Sequence, residues 1–281
     1  MAVLSVDLAL RRWIDLGIVV LERNDPAVPV MCEILMWNDR GEVDAEVLAE
    51  RLHALCEERK IRVVMLDGPQ AWKSRTNGLE HARVSERALN TAAKTGLPGV
   101  VKPVTYRKFA EFCVDVYDGL CRRGWRRLTA EDKPGIGPQR VLVESYPYAA
   151  WKQLGLKPLP AKRKAQVSDL AEAYGALKAV VPFTTNRPPN HDQLQAIVGG
   201  LAGLELEARE STAMRIVGRA PRREDGQWRE GYIVLPAVRH CMQQTLGTCG
   251  AADAHSSLAA GQGVDSGRRE MGMRWVGELR R

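Results

Sequence analysis

Three aliphatic runs in this chain end on an acid, and that repetition constrains the fold more than any other feature. Ala2 to Asp7 reads AVLSVD, Arg62 to Asp67 reads RVVMLD, and Val141 to Glu144 reads VLVE. Short runs rich in Val, Ile and Leu predict buried strands. A carboxylate inside such a strand is costly unless it is hydrogen-bonded or holds a cation. A fourth acid, Asp192, opens the amphipathic stretch HDQLQAIVGGLAGLE. Strand-end acids joined by a helix-borne acid point to an oxygen-ligand site for a hard divalent cation.

The connections between the runs set the sheet. RRWID turns the chain into Leu16 to Glu22 (LGIVVLE), and Asn24 to Pro29 turn it again into Val30 to Trp37. Links this short predict an antiparallel meander, because parallel neighbours need a crossover of about a dozen residues. Asp44 to Arg59 carries Val47, Leu48, Leu52, Leu55 and Cys56 at helical spacing, with Asp44 placed as N-cap. That helix delivers the chain to Ile61 to Asp67 by a crossover, so the sheet becomes mixed, three antiparallel strands followed by parallel additions. Gly68 and Pro69 then leave Asp67 at a C-terminal strand tip, the edge at which open α/β sheets bind ligands.

Further along, helices are expected over Leu79 to Lys94 and Tyr106 to Arg123, with Gly96 to Pro103 as a linker. A strand over Gln139 to Ser145, a short helix over Tyr148 to Leu154, a basic linker at Pro158 to Lys164, and helices over Gln166 to Val180 and His191 to Glu207 follow. The last two strands, Ala213 to Gly218 and Tyr232 to Leu235, are joined by the charged turn RAPRREDGQWREG. Beyond Pro236 the chain is rich in Gly, Ala, Ser and Gln without sustained periodicity. The expectation is one α/β domain over residues 1–236 with a helical insertion, and a poorly ordered tail over 237–281.

A net charge of +7 favours an anionic partner, although a solvated basic surface explains it as well. The run Arg122 to Arg140, with Trp125 among its basic residues, could track a phosphate backbone or form a solvated loop. The six cysteines are scattered with no C-x-x-C pair, and no secretory signal precedes Ala2, so reduced thiols in the cytoplasm are expected. No run approaches the roughly 20 apolar residues of a spanning helix, which argues against a membrane role.

Taken in order, VDLA, the strand ending LDGP, VESYP, the basic KRK before a helix, NHDQLQAIVGGLAG and GRAPRREDGQWREGYIVLP resemble the bacterial and archaeal family catalogued as domain of unknown function 429. The resemblance covers about Ala2 to Pro236 and implies an RNase H-like fold and a nuclease. By that likeness Asp7, Asp67 and Asp192 match metal-holding acids and Glu144 matches the E-x-x-P acid. One departure is Gln195, where similar proteins carry the second acid of D-x-x-D.

The implied activity is phosphodiester hydrolysis in nucleic acid with one or two Mg²⁺ or Mn²⁺ ions. Asp7 would bridge the ions, Asp67 and Asp192 would each hold one, and Glu144 or His191 would orient or deprotonate the water. Lys73 and Arg75 after Asp67, and Lys162, Arg163 and Lys164 in the basic linker, are the candidate phosphate-binding residues. Each acid also has a structural reading. Asp67 could be a turn acid, Asp192 a first-turn helix acid, and Glu144 a partner of backbone amides. The competing function is a catalytically inactive RNase H-like scaffold that binds nucleic acid or a protein, with Gln195 as the trace of a lost ligand. An ATP-using phosphotransferase is disfavoured, since RRWIDLG, without a glycine-rich phosphate loop, follows the first strand.

Overall fold

The computed structural model describes residues 1–25, 27–129, 139–208 and 214–237. The chain opens as predicted, with β1 (Ala2–Asp7), β2 (Gly17–Glu22) and β3 (Val30–Leu35) forming an antiparallel meander. Helix α1 (Ala45–Arg59) follows, its N-cap Asp44 accepting from the backbone N–H groups of Glu46 and Val47. Its crossover brings β4 (Val63–Asp67) parallel to β1, in a register running from Val3 opposite Val63 to Asp7 opposite Asp67.

A longer excursion holds α2 (Val84–Leu89), the β5 (Lys94–Thr95) and β6 (Val101–Lys102) pair, α3 (Arg107–Arg122) and β7 (Arg126–Arg127). The chain then returns through β8 (Val141–Ser145), parallel to β4, and continues into α4 (Pro147–Gln153), α5 (Val167–Val180), β9 (Phe183–Thr185) and α6 (His191–Glu207). The hairpin of β10 (Met214–Glu224) and β11 (Gln227–Pro236) ends it. The strand order is β10-β11-β8-β4-β1-β2-β3-β9, with β7 beside β8. Its middle, an antiparallel meander extended by parallel β4 and β8, is an RNase H-like arrangement.

Two cores sandwich the sheet. Val3, Val63, Met65, Val141 and Val143 pack with Leu194, Ile197, Val198 and Leu201 of α6 on one face. Leu4, Val6, Val64, Leu66 and Leu142 pack with Leu48 and Leu52 of α1 and with Val116, Tyr117 and Leu120 of α3 on the other. Helix α6 lies close enough to the strands that a Cβ on Gly200 would come 2.7 Å from Ser5 Cβ, and one on Gly203 2.6 Å from Val3 Cγ1.

Several expectations need correction. Helix α2 occupies only part of Leu79 to Lys94, stopping where Asn90 takes a left-handed conformation; β5 stands at the end of that expected helix, and the supposed linker from Gly96 to Pro103 contains its partner β6. Strand β9 carries too few residues to show a period. The charged stretch after Gly218 is strand, and the reversal is confined to Asp225 and Gly226, both at positive φ. Strand β10 lies at the sheet edge, where exposed arginines do not oppose pairing. Residues 130–138 of the basic run and 238–281 of the expected tail lie outside the described residues. No described helix is long and apolar enough to cross a membrane.

Candidate functional site

Parallel pairing puts Asp7 and Asp67 side by side. Alternation along the strands aims both toward the face of Val3 and Met65, which α6 covers. Burial pushes the Asp7 carboxyl well above the usual carboxylate range, and the charges of Asp67 and then Asp192 push it further. Burial also raises Asp67, while its contact with Asp7 holds it down. Both carboxyls are raised, so the proton they hold belongs to the pair.

Asp192 reaches the pair from the first turn of α6. Asn190 caps that helix by accepting from Gln193 N–H. The turn can sit against β2 because residue 17 is glycine; a Cβ there would stand 2.2 Å from the Asp192 carbonyl oxygen. The Asp192 carboxylate is buried and has two neighbours, His191 Nδ1 at 3.2 Å from Oδ1 and the Lys162 ammonium on Oδ2. Lys162 also donates to Asp15 Oδ1 at 2.9 Å, and its charge lowers Asp7. Asp15 is held down to about 2, first by Arg12, which donates to both its oxygens, and also by Lys162. His191 Nε2 lies 2.9 Å from the Pro160 carbonyl, tying the start of α6 to the segment that carries Lys162.

Glu144 does not join these acids. Its register partner is Leu66, so it leaves the sheet on the face opposite Asp7, while Ser145 stands beside Asp67. There it accepts two hydrogen bonds from Arg83, each 2.7 Å, and one from Gln70 N–H at 3.0 Å. Paired with the Arg83 guanidinium on the face opposite Asp7, Glu144 is not placed to act on a water held by the aspartates, so the base role expected of it is dropped. Gln195 is turned away too, its Oε1 accepting from the indole of buried Trp151 at 2.8 Å.

Of the expected phosphate-binding residues, Lys73 is buried, its ammonium donating to the Ser74 carbonyl at 2.9 Å, and it is corrected to a structural lysine. Arg75 is exposed and pairs with Asp225 at 3.1 Å. Lys162 faces the acids, whereas Arg163 and Lys164 are exposed on the following turn. Sequence reasoning missed Asp15, whose signal was its place in the turn RRWID directly after the acid-bearing β1. It also missed buried Arg83 and Glu230. Glu230 accepts from Ser74 N–H, Asn77 Nδ2 and Val84 N–H, and no local pattern announces partners so distant in the chain.

Asp7, Asp67 and Asp192 offer only carboxylate oxygen, which suits a hard cation. Their present arrangement does not. Among the described residues, no three Asp, Glu, His or Cys side chains stand placed to hold a metal ion. The positive charge among these acids is the ammonium of Lys162.

No protein-family model and no curated protein matches the chain. Among solved structures it is similar to Thermus thermophilus RuvC, at 13% identity over 72% of this chain and 92% of that one, with a TM-score of 0.34. It is likewise similar to T. thermophilus RuvC in complex with Holliday junction substrate, at 13% identity over 72% of this chain and 90% of that one, with a TM-score of 0.32. At these scores the likeness adds nothing to the strand order and register, which define the fold by themselves.

Proposed function

We propose that this chain is an RNase H-like hydrolase of phosphodiester bonds in nucleic acid, working through a divalent cation held at Asp7, Asp67 and Asp192, and that it belongs with the family of domain of unknown function 429. The observation that carries the reading is the half-buried Asp7 and Asp67 pair at the tip of two parallel strands, with Asp192 of α6 acting on it. Two carboxyls held side by side and partly out of water repel each other when ionised, a cost that a bound cation would offset.

A bound Mg²⁺ or Mn²⁺ would polarise a phosphoryl oxygen and make a water acidic enough to attack near neutral pH. The chain's own part is preparatory. The parallel register fixes the spacing of Asp7 and Asp67, His191 steadies Asp192, and the pair would give up its shared proton on taking up a cation. Arg75, Arg163 and Lys164, all exposed, are the residues proposed to meet the phosphate backbone.

The second reading is an inactive scaffold that binds nucleic acid or a protein. The engagement of Asp192 by Lys162 and of Gln195 by Trp151 favours it. One comparison separates the two. Wild-type protein and Asp7→Asn are incubated with labelled single- and double-stranded DNA and RNA, with and without Mn²⁺. The hydrolase reading expects Mn²⁺-dependent cleavage that Asp7→Asn lowers by about 1000-fold, the rate equivalent of about 4 kcal/mol. Binding without cleavage by either protein would leave the scaffold.

A further inference from the structure

The acid cluster already contains a cation, and it belongs to the chain. Lys162 places its ammonium against Asp192 and Asp15, and its charge reaches Asp7. The placement is built rather than incidental. Leu159, three residues earlier, is buried in the core, the Pro160 carbonyl is held by His191, and Lys164 N–H donates back to the Ala161 carbonyl to close a turn around Lys162. Yet the Lys162 side chain is 49% exposed, so it can leave without opening the core. Asp15, on the turn after β1, provides a second anchor at the rim on which the ammonium can stay.

We infer that Lys162 is the resident counter-cation of the acid cluster, so that a divalent ion completes its ligand set at Asp192 only by displacing this ammonium toward Asp15. The inference rests on the metal-site reading above. It also accounts for the mismatch between an all-carboxylate donor set and the absence, among the described residues, of three ligands placed around one point. An ammonium and a divalent ion cannot share one carboxylate oxygen at close range without strong repulsion, so they compete. A lysine suits this use, since its point charge sits on a flexible stem and swings between carboxylates more easily than an arginine fork.

The test is calorimetric titration of the full chain with Mn²⁺ for wild type, Lys162→Met and Lys162→Gln. Lys157→Met, which removes an exposed charge nearby in sequence, serves as the control. Competition expects both Lys162 variants to bind Mn²⁺ about tenfold more tightly, with the control unchanged. Without metal, both Lys162 variants should melt below wild type, because the acids have lost their counter-charge, and Mn²⁺ should raise their midpoints by more than it raises that of wild type. Equal affinities for wild type and the Lys162 variants overturn the counter-cation while leaving the metal site standing. Absence of Mn²⁺ binding in every variant overturns the metal site itself, and the competition with it.

Discussion

Asp7 sits where a carboxyl is hard to ionise, half-buried and facing two further acids, with one lysine opposing them. This has a consequence for stability against pH. An unfolded chain loses its carboxyl protons near pH 4, whereas Asp67 in the fold titrates at about 7 and Asp7 is also raised. Between those limits the native state binds more protons than the unfolded state, so stability falls as pH rises. The contribution is complete below about pH 4 and is lost through about pH 7. Metal-free wild type should therefore lose more of its melting midpoint over that range than Asp7→Asn, which cannot ionise. Parallel curves in scanning fluorimetry would show that the pair is not protonated in the fold. The acids were legible at this scale, because a carboxylate in an aliphatic run is conspicuous. The face each one takes was not, since a shift of one residue reverses it. Glu144 and Ser145 are neighbours in VLVES, and only the register with Leu66 and Asp67 decides which of them stands beside the acids.

At the scale of elements, α6 positions Asp192 and does so through its small residues. Alanine is a better helix former than glycine by about 1 kcal/mol, so Gly→Ala in a helix stabilises wherever there is room. At Gly203 there is none, because a Cβ would meet Val3 Cγ1 at 2.6 Å and Met65 Cγ at 2.9 Å. Overpacking of that kind costs about 1–3 kcal/mol and outweighs the propensity gain. In α5 the balance reverses, since a Cβ on Gly175 meets nothing within 4 Å. Urea unfolding should then show Gly203→Ala destabilised and Gly175→Ala stabilised by up to about 1 kcal/mol; a stable Gly203→Ala would mean that α6 has slack against the sheet. The helix itself was legible from its apolar spacing, while the part its glycines play shows only against the sheet beneath them. The β10 and β11 hairpin was misread for a related reason. Period and hydrophobicity reveal strands that bury a face, and the outer half of β10 presents Arg219, Arg222 and Arg223 to solvent on an edge.

For the whole molecule, topology followed from connection lengths, since short links forced the meander and one helical crossover forced the first parallel pair. What those lengths could not give was the far side of the sheet, where β11 adds beside β8 and β9 adds beside β3. Those additions join segments far apart in sequence, and they bear on where the folding unit ends. Strand β11 lies inside the sheet, between β10 and β8, and its last residue, Pro236, pairs with Met214. The two cores draw on residues from Val3 to Leu235 and cover both faces of the sheet. A chain ending at Ala237 therefore keeps every core residue described, and with them the apolar surface that these residues bury against one another. Such a truncation should melt within about 3 °C of the full chain, because for a domain of this size 1 kcal/mol corresponds to about 2–4 °C. It should also bind Mn²⁺ unchanged, since Asp7, Asp67, Asp192 and Lys162 are all retained. A loss beyond about 5 °C would assign part of the stability to residues 238–281, and a loss of Mn²⁺ binding at an unchanged midpoint would assign them a part in the site.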